Sequence, residues 1–388
     1  MQNIDLVKEF TRVFADAKGA KTYFAPGRVN LIGEHTDYNG GYVLPCALTT
    51  GTYAVARKRE DELVRLYSLN FEESGVYETS LAKLYKKEDG AWTNYPKGII
   101  YSLCQGGYQI THGMDILYYG TIPNSAGLSS SASIEVLTGY ICMDLFGLDY
   151  DMEDLALICQ HAENHYNGVK CGIMDQFSIA MGKKNCALYL NTGTMKYRYV
   201  NLNMADTVLI IMNTNKKRGL GDSKYNERRS ECETAVSELK ETFSIENLCQ
   251  LEEKDWEMAL SQLSSETLRK RVHHVFTENK RTYQAVEAME QSDIERLGML
   301  MNESHASLRD DYEVTGIELD TLVEAANKQE GVIGARMTGA GFGGCGIAIV
   351  KRKCVEEFIA GVSEIYREKI GYDADFYPVM VGGGPRVL

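Results

Sequence analysis

Arg28, Asn30, Glu34, His35, Asp37 and Asn39 stand within a single short stretch, interleaved with Val29, Leu31 and Ile32. A solvated loop has no need of those apolar residues. Carboxylates beside an imidazole and amides offer both donors and acceptors, a mixture that suits a ligand rich in hydroxyl groups, such as a sugar. The glycines at 27, 33, 40 and 41 permit tight turns and close backbone approach. The same residues also read as a hairpin with a charged outer face.

A second stretch, Pro123 to Glu135, is built from small residues: Asn124, Ser125, Ala126, Gly127, Leu128, Ser129, Ser130, Ser131, Ala132 and Ser133 precede Ile134. It lies between a strand-like run, Met114 to Tyr119, and a helix-like run, Ala132 to Phe146. Backbone N–H groups at such a junction, with the partial positive charge of a helix start, favour a phosphate. An ordinary serine N-cap is the plainer reading. The third glycine-rich segment, Arg336 to Gly346, contains Gly339, Gly341, Gly343 and Gly344 and reads as a loop with unusual backbone angles.

Two carboxylates lie between these stretches. Glu163 is near the end of an amphipathic helix predicted from Asp151 to Tyr166, with Asp151 as its cap. Asp175 follows in the loop from Gly168 to Phe177, placed either to cap the next helix or to sit beside a reacting hydroxyl. His161 and His165 are four apart, but Ala162 stands where a zinc-protease helix carries its glutamate, so zinc is not expected.

The elements that must position these groups follow from periodicity. Leu6, Val7, Phe10, Val13 and Phe14 predict an opening amphipathic helix within residues 3 to 17. Residues 42 to 70 alternate as strands around a charged turn at Arg57 to Glu62, and Asn94 to Tyr108 reads as a helix closed by Gly106 and Gly107. Trp92 and Tyr95 read first as core aromatics. Cys186 to Leu190 and Thr207 to Asn213 read as strands. The weakly patterned Lys196 to Met204 between them suggests a domain boundary near residue 200. Lys216, Lys217 and Arg218 form a basic loop, read as a solvated face, before a helix from Tyr225 to about Phe243. Helices fill most of Trp256 to Gln329, and Phe376 to Val381 reads as a last strand.

A chain of 388 residues exceeds what one core usually fills, so two domains are expected, 1–200 and 201–388. The net charge of −13 argues against nucleic acid or an anionic membrane as partner. No apolar run reaches the length of a membrane span, and the N-terminus lacks the pattern of a signal peptide. The ten cysteines include no CxxC pair and read as reduced core residues of a cytoplasmic protein.

Three motifs together carry a resemblance. Pro26 to Gly40, with its run Gly33-Glu34-His35-Thr36-Asp37-Tyr38-Asn39, Gly127 to Ser133, and Thr338 to Gly344 resemble the signatures of the galactose, homoserine, mevalonate and phosphomevalonate (GHMP) kinase superfamily. The first motif and Cys171 to Phe177 are similar to the galactokinase branch. The resemblance spans about residues 22 to 350. It implies an α/β (α+β) fold of two lobes, an N-terminal ribosomal-protein-S5-domain-2-like lobe and a C-terminal ferredoxin-like lobe, with the active site in the cleft. It implies transfer of the γ-phosphoryl group of ATP to the anomeric hydroxyl of α-D-galactose, with Mg2+. By the same resemblance Asp175 and Arg28 are catalytic, and Glu34, His35, Asp37, Gly172, Asp175 and Tyr225 hold the sugar. Ser125 to Ser133 cradle the nucleotide, Ser131 and Glu163 hold the metal, and Thr338 to Gly344 close over the site. Galactose and ATP are the expected partners, and a monomer the simplest state. Ser125 and Ala340 depart from glycines common in the superfamily, and neither removes a catalytic group. Another sugar kinase of the branch and a sugar sensor without turnover are the alternatives; the presence of Arg28, Asp175 and the small Ser129 to Ala132 favours turnover.

Overall fold

The computed structural model describes residues 4–85, 91–123, 127–204, 206–216 and 221–388. The first half runs α1 (Leu6–Phe14), β1 (Lys21–Asn30), β2 (Tyr42–Val43), β3 (Pro45–Lys58), β4 (Leu63–Ser68), β5 (Tyr77–Ser80), α2 (Asn94–Gln105) and β6 (Met114–Gly120). It continues through α3 (Ser130–Phe146), α4 (Met152–His161), α5 (Met174–Ala180), β7 (Cys186–Asn191) and β8 (Tyr197–Asn201). After β9 (Thr207–Asn213) come the helices α6 (Gly221–Phe243), α7 (Trp256–Gln262), α8 (Glu266–Glu290), α9 (Ile294–Asp310) and α10 (Ile317–Ala326). The chain ends with β10 (Val332–Thr338), β11 (Cys345–Lys351), α11 (Val355–Ile370), β12 (Asp375–Val379) and β13 (Arg386–Val387).

The largest sheet has the order β13-β1-β3-β6-β4-β5. Its pairs are antiparallel except β4 with β6. A second sheet, β10-β11-β9-β12, is antiparallel throughout, and β2-β7-β8 form a third. The strand expected at Phe376 lies in the second sheet, whereas the final β13 returns to the first.

Burial explains this arrangement. Tyr23, Ala54, Ile116 and Tyr118 of the large sheet pack with Val136, Leu137, Ile141, Leu155 and Phe177 of α3, α4 and α5. Val29, Leu31 and Ile32 instead join Leu209, Ile211, Leu297, Leu300 and Ile347, so the first motif is packed against residues far along the chain. A further core, with Ile210, Met212, Ala335, Phe358 and Val362, lies between the second sheet and its helices.

Two local features were not visible in the sequence pattern. The weakly patterned stretch Lys196 to Met204 contains β8, which pairs with β7 from Leu190↔Tyr197 to Cys186↔Asn201; cross-strand pairing supplies the order its sequence pattern lacks. The helix from Asp151 begins as expected, with the Asp151 side chain accepting from Asp154 N at 2.8 Å. It stops being α-helical at His161 and continues as a π-turn, Ala162–Asn167, which carries Glu163. Such single π-turns recur at functional sites. Among the described residues no helix is long and apolar enough to cross a membrane.

Candidate active site

The antiparallel register of β1 with β3 shifts between Pro26 and Arg28. A bulge at this point re-aims the next side chain, and the Arg28 side chain reaches the start of α3 while its backbone stays paired with Ala47 of β3. Its Nη1 donates to Gly127 O at 2.7 Å, its Nε to Asp175 Oδ1 at 2.8 Å, and its backbone N to Leu128 O at 3.2 Å. Asp175 is the second residue of α5 and does not cap it, since that position falls to Ile173. Its other oxygen, Oδ2, accepts from the Ser129 hydroxyl. Ser129 directly precedes α3 in a left-handed conformation, φ 58 and ψ 51. Arg28 is buried, while the Asp175 side chain keeps 31% of its surface exposed. The carboxylate is thus fixed from two sides and open on another.

The nucleotide stretch is mixed in its geometry. Ser125 and Ala126 lie outside the described residues. Ser130 is exposed, Ser131 half-buried, and Leu128 and Ala132 buried. The amides of Ser130, Ser131 and Ala132 belong to the first turn of α3, where N–H groups have no intrahelical partner. Ser133 differs from expectation: its amide already donates to Ser129 O at 2.9 Å, and its hydroxyl bonds Thr52 Oγ1 at 2.9 Å in the core. The third glycine-rich loop meets this stretch directly, because a Cβ on Gly339 would come within 3.1 Å of Gly127 O. Gly339, Gly341 and Gly343 all take positive φ, as their clustering predicts.

Glu163, only 4% exposed, leaves its Oε2 without a hydrogen-bond partner among the described residues. It faces Glu135 of α3, which is wholly buried and accepts from Asn167 Nδ2 and Gln176 Nε2 at 3.3 Å. Burial, then the charge of Glu163, drives the Glu135 carboxyl far above its usual range. Burial and nearby Asp175 also raise Glu163. A buried, unpartnered carboxylate oxygen fits a hard cation, and Ser131 offers a further oxygen type suited to one. His161 and His165 lie with ring centroids 4.3 Å apart and planes tilted by 41°, and among the described residues no group of three or more His, Cys, Asp or Glu side chains is arranged for a metal.

The polar residues of the first motif form a buried turn. Glu34 accepts from Gly339 N at 2.7 Å, Arg336 Nη1 at 2.8 Å and Asn30 Nδ2 at 3.1 Å. His35 has φ 60, uncommon for a residue with a side chain. Its Nδ1 meets Tyr38 OH at 2.8 Å, and its ring lies 4.8 Å from Tyr312 and 5.8 Å from Tyr225. Burial lowers the imidazole to about 3, so it is neutral. Its Nε2 makes no well-directed hydrogen bond among the described residues. Asp37 lies against Gly172 so closely that a Cβ there would fall 1.8 Å from Asp37 Oδ2. Burial, with the charge of Asp175, pushes the Asp37 carboxyl up to about 7. Tyr225, on α6, is half-buried, and its hydroxyl is raised by burial and by the charge of Asp37. Lys216 of the basic loop is paired with Glu318 at 3.0 Å.

Sequence reasoning missed Glu135, Arg336, Glu278 and His274 as members of this site. Glu135 closes the small-residue stretch and Arg336 opens the third, so both were in view without a role. Glu278 and His274 carried no local signal beyond polar residues on a long helix.

The chain and its fold are similar to known proteins. Residues 94–183 match the GHMP kinases N-terminal domain and residues 285–368 the GHMP kinases C-terminal domain. The structure of Methanococcus jannaschii mevalonate kinase has the same fold, with a TM-score of 0.64 at 19% identity over 94% of this chain and 98% of that one. The class is therefore that of the GHMP kinases. Residues 8–58 match a galactokinase galactose-binding signature. Galactokinase of Clostridium beijerinckii is 55% identical over 100% of both chains, and that of Bacillus subtilis 53% identical over 98% of this chain and 97% of its own. The crystal structure of Lactococcus lactis galactokinase complexed with galactose matches with a TM-score of 0.97 at 47% identity, over 99% of each chain. The chain belongs to the galactokinase family of ATP-dependent sugar kinases.

Proposed function

We propose that the chain transfers the γ-phosphoryl group of ATP to the C1 hydroxyl of α-D-galactose, giving α-D-galactose 1-phosphate and ADP. The observation that carries this reading is the Asp175 carboxylate, fixed by Arg28 at 2.8 Å and by Ser129 at the start of α3. Asp175 orients the C1 hydroxyl and accepts its proton as the new O–P bond forms. A loose phosphoryl-transfer transition state asks little of a base, so orientation and charge carry most of the effect. Arg28 offsets charge on the group in transit. Glu34, His35, Asp37, Tyr225 and the Gly172 backbone hold the sugar, and His35 Nε2, which has no well-directed partner among the described residues, supports that role. The amides of Gly127 to Ala132 receive the phosphates, and Thr338 to Gly344 cover them.

Ser131 and Glu163 would hold Mg2+, with the remaining ligands coming from phosphate oxygens and water. Held there, the metal would supply positive charge against the charge that develops on the phosphates during transfer. We also propose two lobes divided near residue 200, with β13 returning to the first. Ten free cysteines suit a reducing compartment such as the cytoplasm.

A coupled assay of ADP release across a sugar panel tests the substrate. Galactose gives the highest kcat/KM; release with an N-acetylated sugar but none with galactose refutes the assignment. Galactose binding with no ADP at any protein concentration identifies a sensor instead.

A further inference from the structure

We propose that Glu278 and His274, one turn apart on α8, are positioning residues that hold the Glu34 peptide from both sides and so present Glu34 and His35 to the acceptor sugar. The proposal rests on the reading of that turn as the galactose site. Glu278 Oε1 accepts from Gly33 N at 3.0 Å and from Glu34 N at 3.2 Å. The same oxygen takes the Ser304 hydroxyl at 2.6 Å, while Oε2 takes Arg281 Nε at 2.8 Å. His274 Nε2 lies 3.1 Å from Glu34 O. A carbonyl only accepts, so this nitrogen carries the proton. Nδ1 of the same ring meets Ser307 Oγ at 3.0 Å.

Both side chains are wholly buried. A carboxylate is costly to remove from water unless its oxygens are fully hydrogen-bonded. Two of the four hydrogen bonds that satisfy Glu278 come from the backbone of the first motif. Burial raises the Glu278 carboxyl, but Arg281, His274 and Arg336 outweigh it and hold the group well below its usual range, as an anion able to accept all four. The peptide held in this way immediately precedes His35, whose φ of 60 is unfavourable for a side-chain-bearing residue and persists only where its surroundings fix it. A helix more than two hundred residues away thus sets the conformation of the turn.

Steady-state kinetics of the full chain, varying galactose and ATP separately, tests this alongside thermal unfolding. Glu278→Gln raises the galactose KM about tenfold or more and leaves the ATP KM within about twofold. His274→Leu does the same, whereas His274→Gln, whose amide nitrogen can replace Nε2, restores most of the affinity. A role limited to core stability predicts lower unfolding temperatures with both KM values unchanged, and that result overturns the proposal, as does an equal rise in both. If Glu278→Gln fails to fold, the two His274 variants decide: both matching wild type overturns it. A wild-type chain that binds no galactose overturns the sugar reading and this proposal together. A wild type that binds galactose, with variants that match it, overturns this proposal alone.

Discussion

On the acceptor side, the turn from Gly33 to Asn39 is held by groups from across the chain: the Arg336 side chain and the Gly339 amide on Glu34, Glu278 and His274 on its peptide, and Tyr312 against His35. On the donor side, Arg28, Gly127, Ser129 and Asp175 form one short chain of contacts, and Glu163 Oε2 stays without a partner among the described residues. The first region has Glu34 and its peptide bonded by protein before any ligand arrives and leaves His35 Nε2 without a well-directed partner among the described residues; the second keeps charge and lone pairs for phosphate and metal. Changes on the acceptor side should therefore act on sugar affinity, and changes on the donor side on turnover and metal response.

Arg28→Ala gives the largest donor-side effect, a fall in kcat of about a hundredfold to a thousandfold with the galactose KM much less altered. A change in KM alone would erase the distinction between the two sides. Gly172→Ala forces the Asp37 carboxylate aside, and the galactose kcat/KM drops about tenfold to a hundredfold while the ATP KM holds. Glu163→Gln moves the magnesium concentration for half-maximal rate upward by about tenfold; an unchanged titration removes Glu163 from the metal site.

The smallest effect concerns pH. Folded Asp37 keeps its proton up to about 7, while an unfolded aspartate releases it near about 3.9. Between these values the folded state binds more protons, so this group lowers stability as pH rises. Asp37→Asn removes that loss. Without ligand, its unfolding temperature relative to wild type is lowest near pH 4 and rises by a few degrees towards pH 7. A difference that is flat with pH would show that Asp37 is not held neutral.

What the sequence made legible follows the same division. Arg28, Glu34, His35, Asp37 and the small residues before α3 are local in sequence, and their types declare their chemistry. Asp175 was visible as a carboxylate but ambiguous, and only its contact with Arg28, 147 residues away, separates it from a helix cap. Glu278 and Arg336 were not legible as site residues, because their partners lie 245 and 302 residues off and burial of a charge is a tertiary fact. Ser133 shows the converse error: a residue type suited to phosphate whose amide and hydroxyl are both committed to the fold. β8 had too little alternation to announce itself, and the π-turn under Glu163 has no sequence period of its own.

The central claim, that Asp175 orients the C1 hydroxyl and accepts its proton in the transfer step, is tested by rapid-quench measurement of sugar phosphate formed by Asp175→Ala at saturating galactose and ATP. The account predicts a single-turnover rate at least about a thousandfold below wild type, with ATP binding retained. A rate within about tenfold of wild type would contradict it.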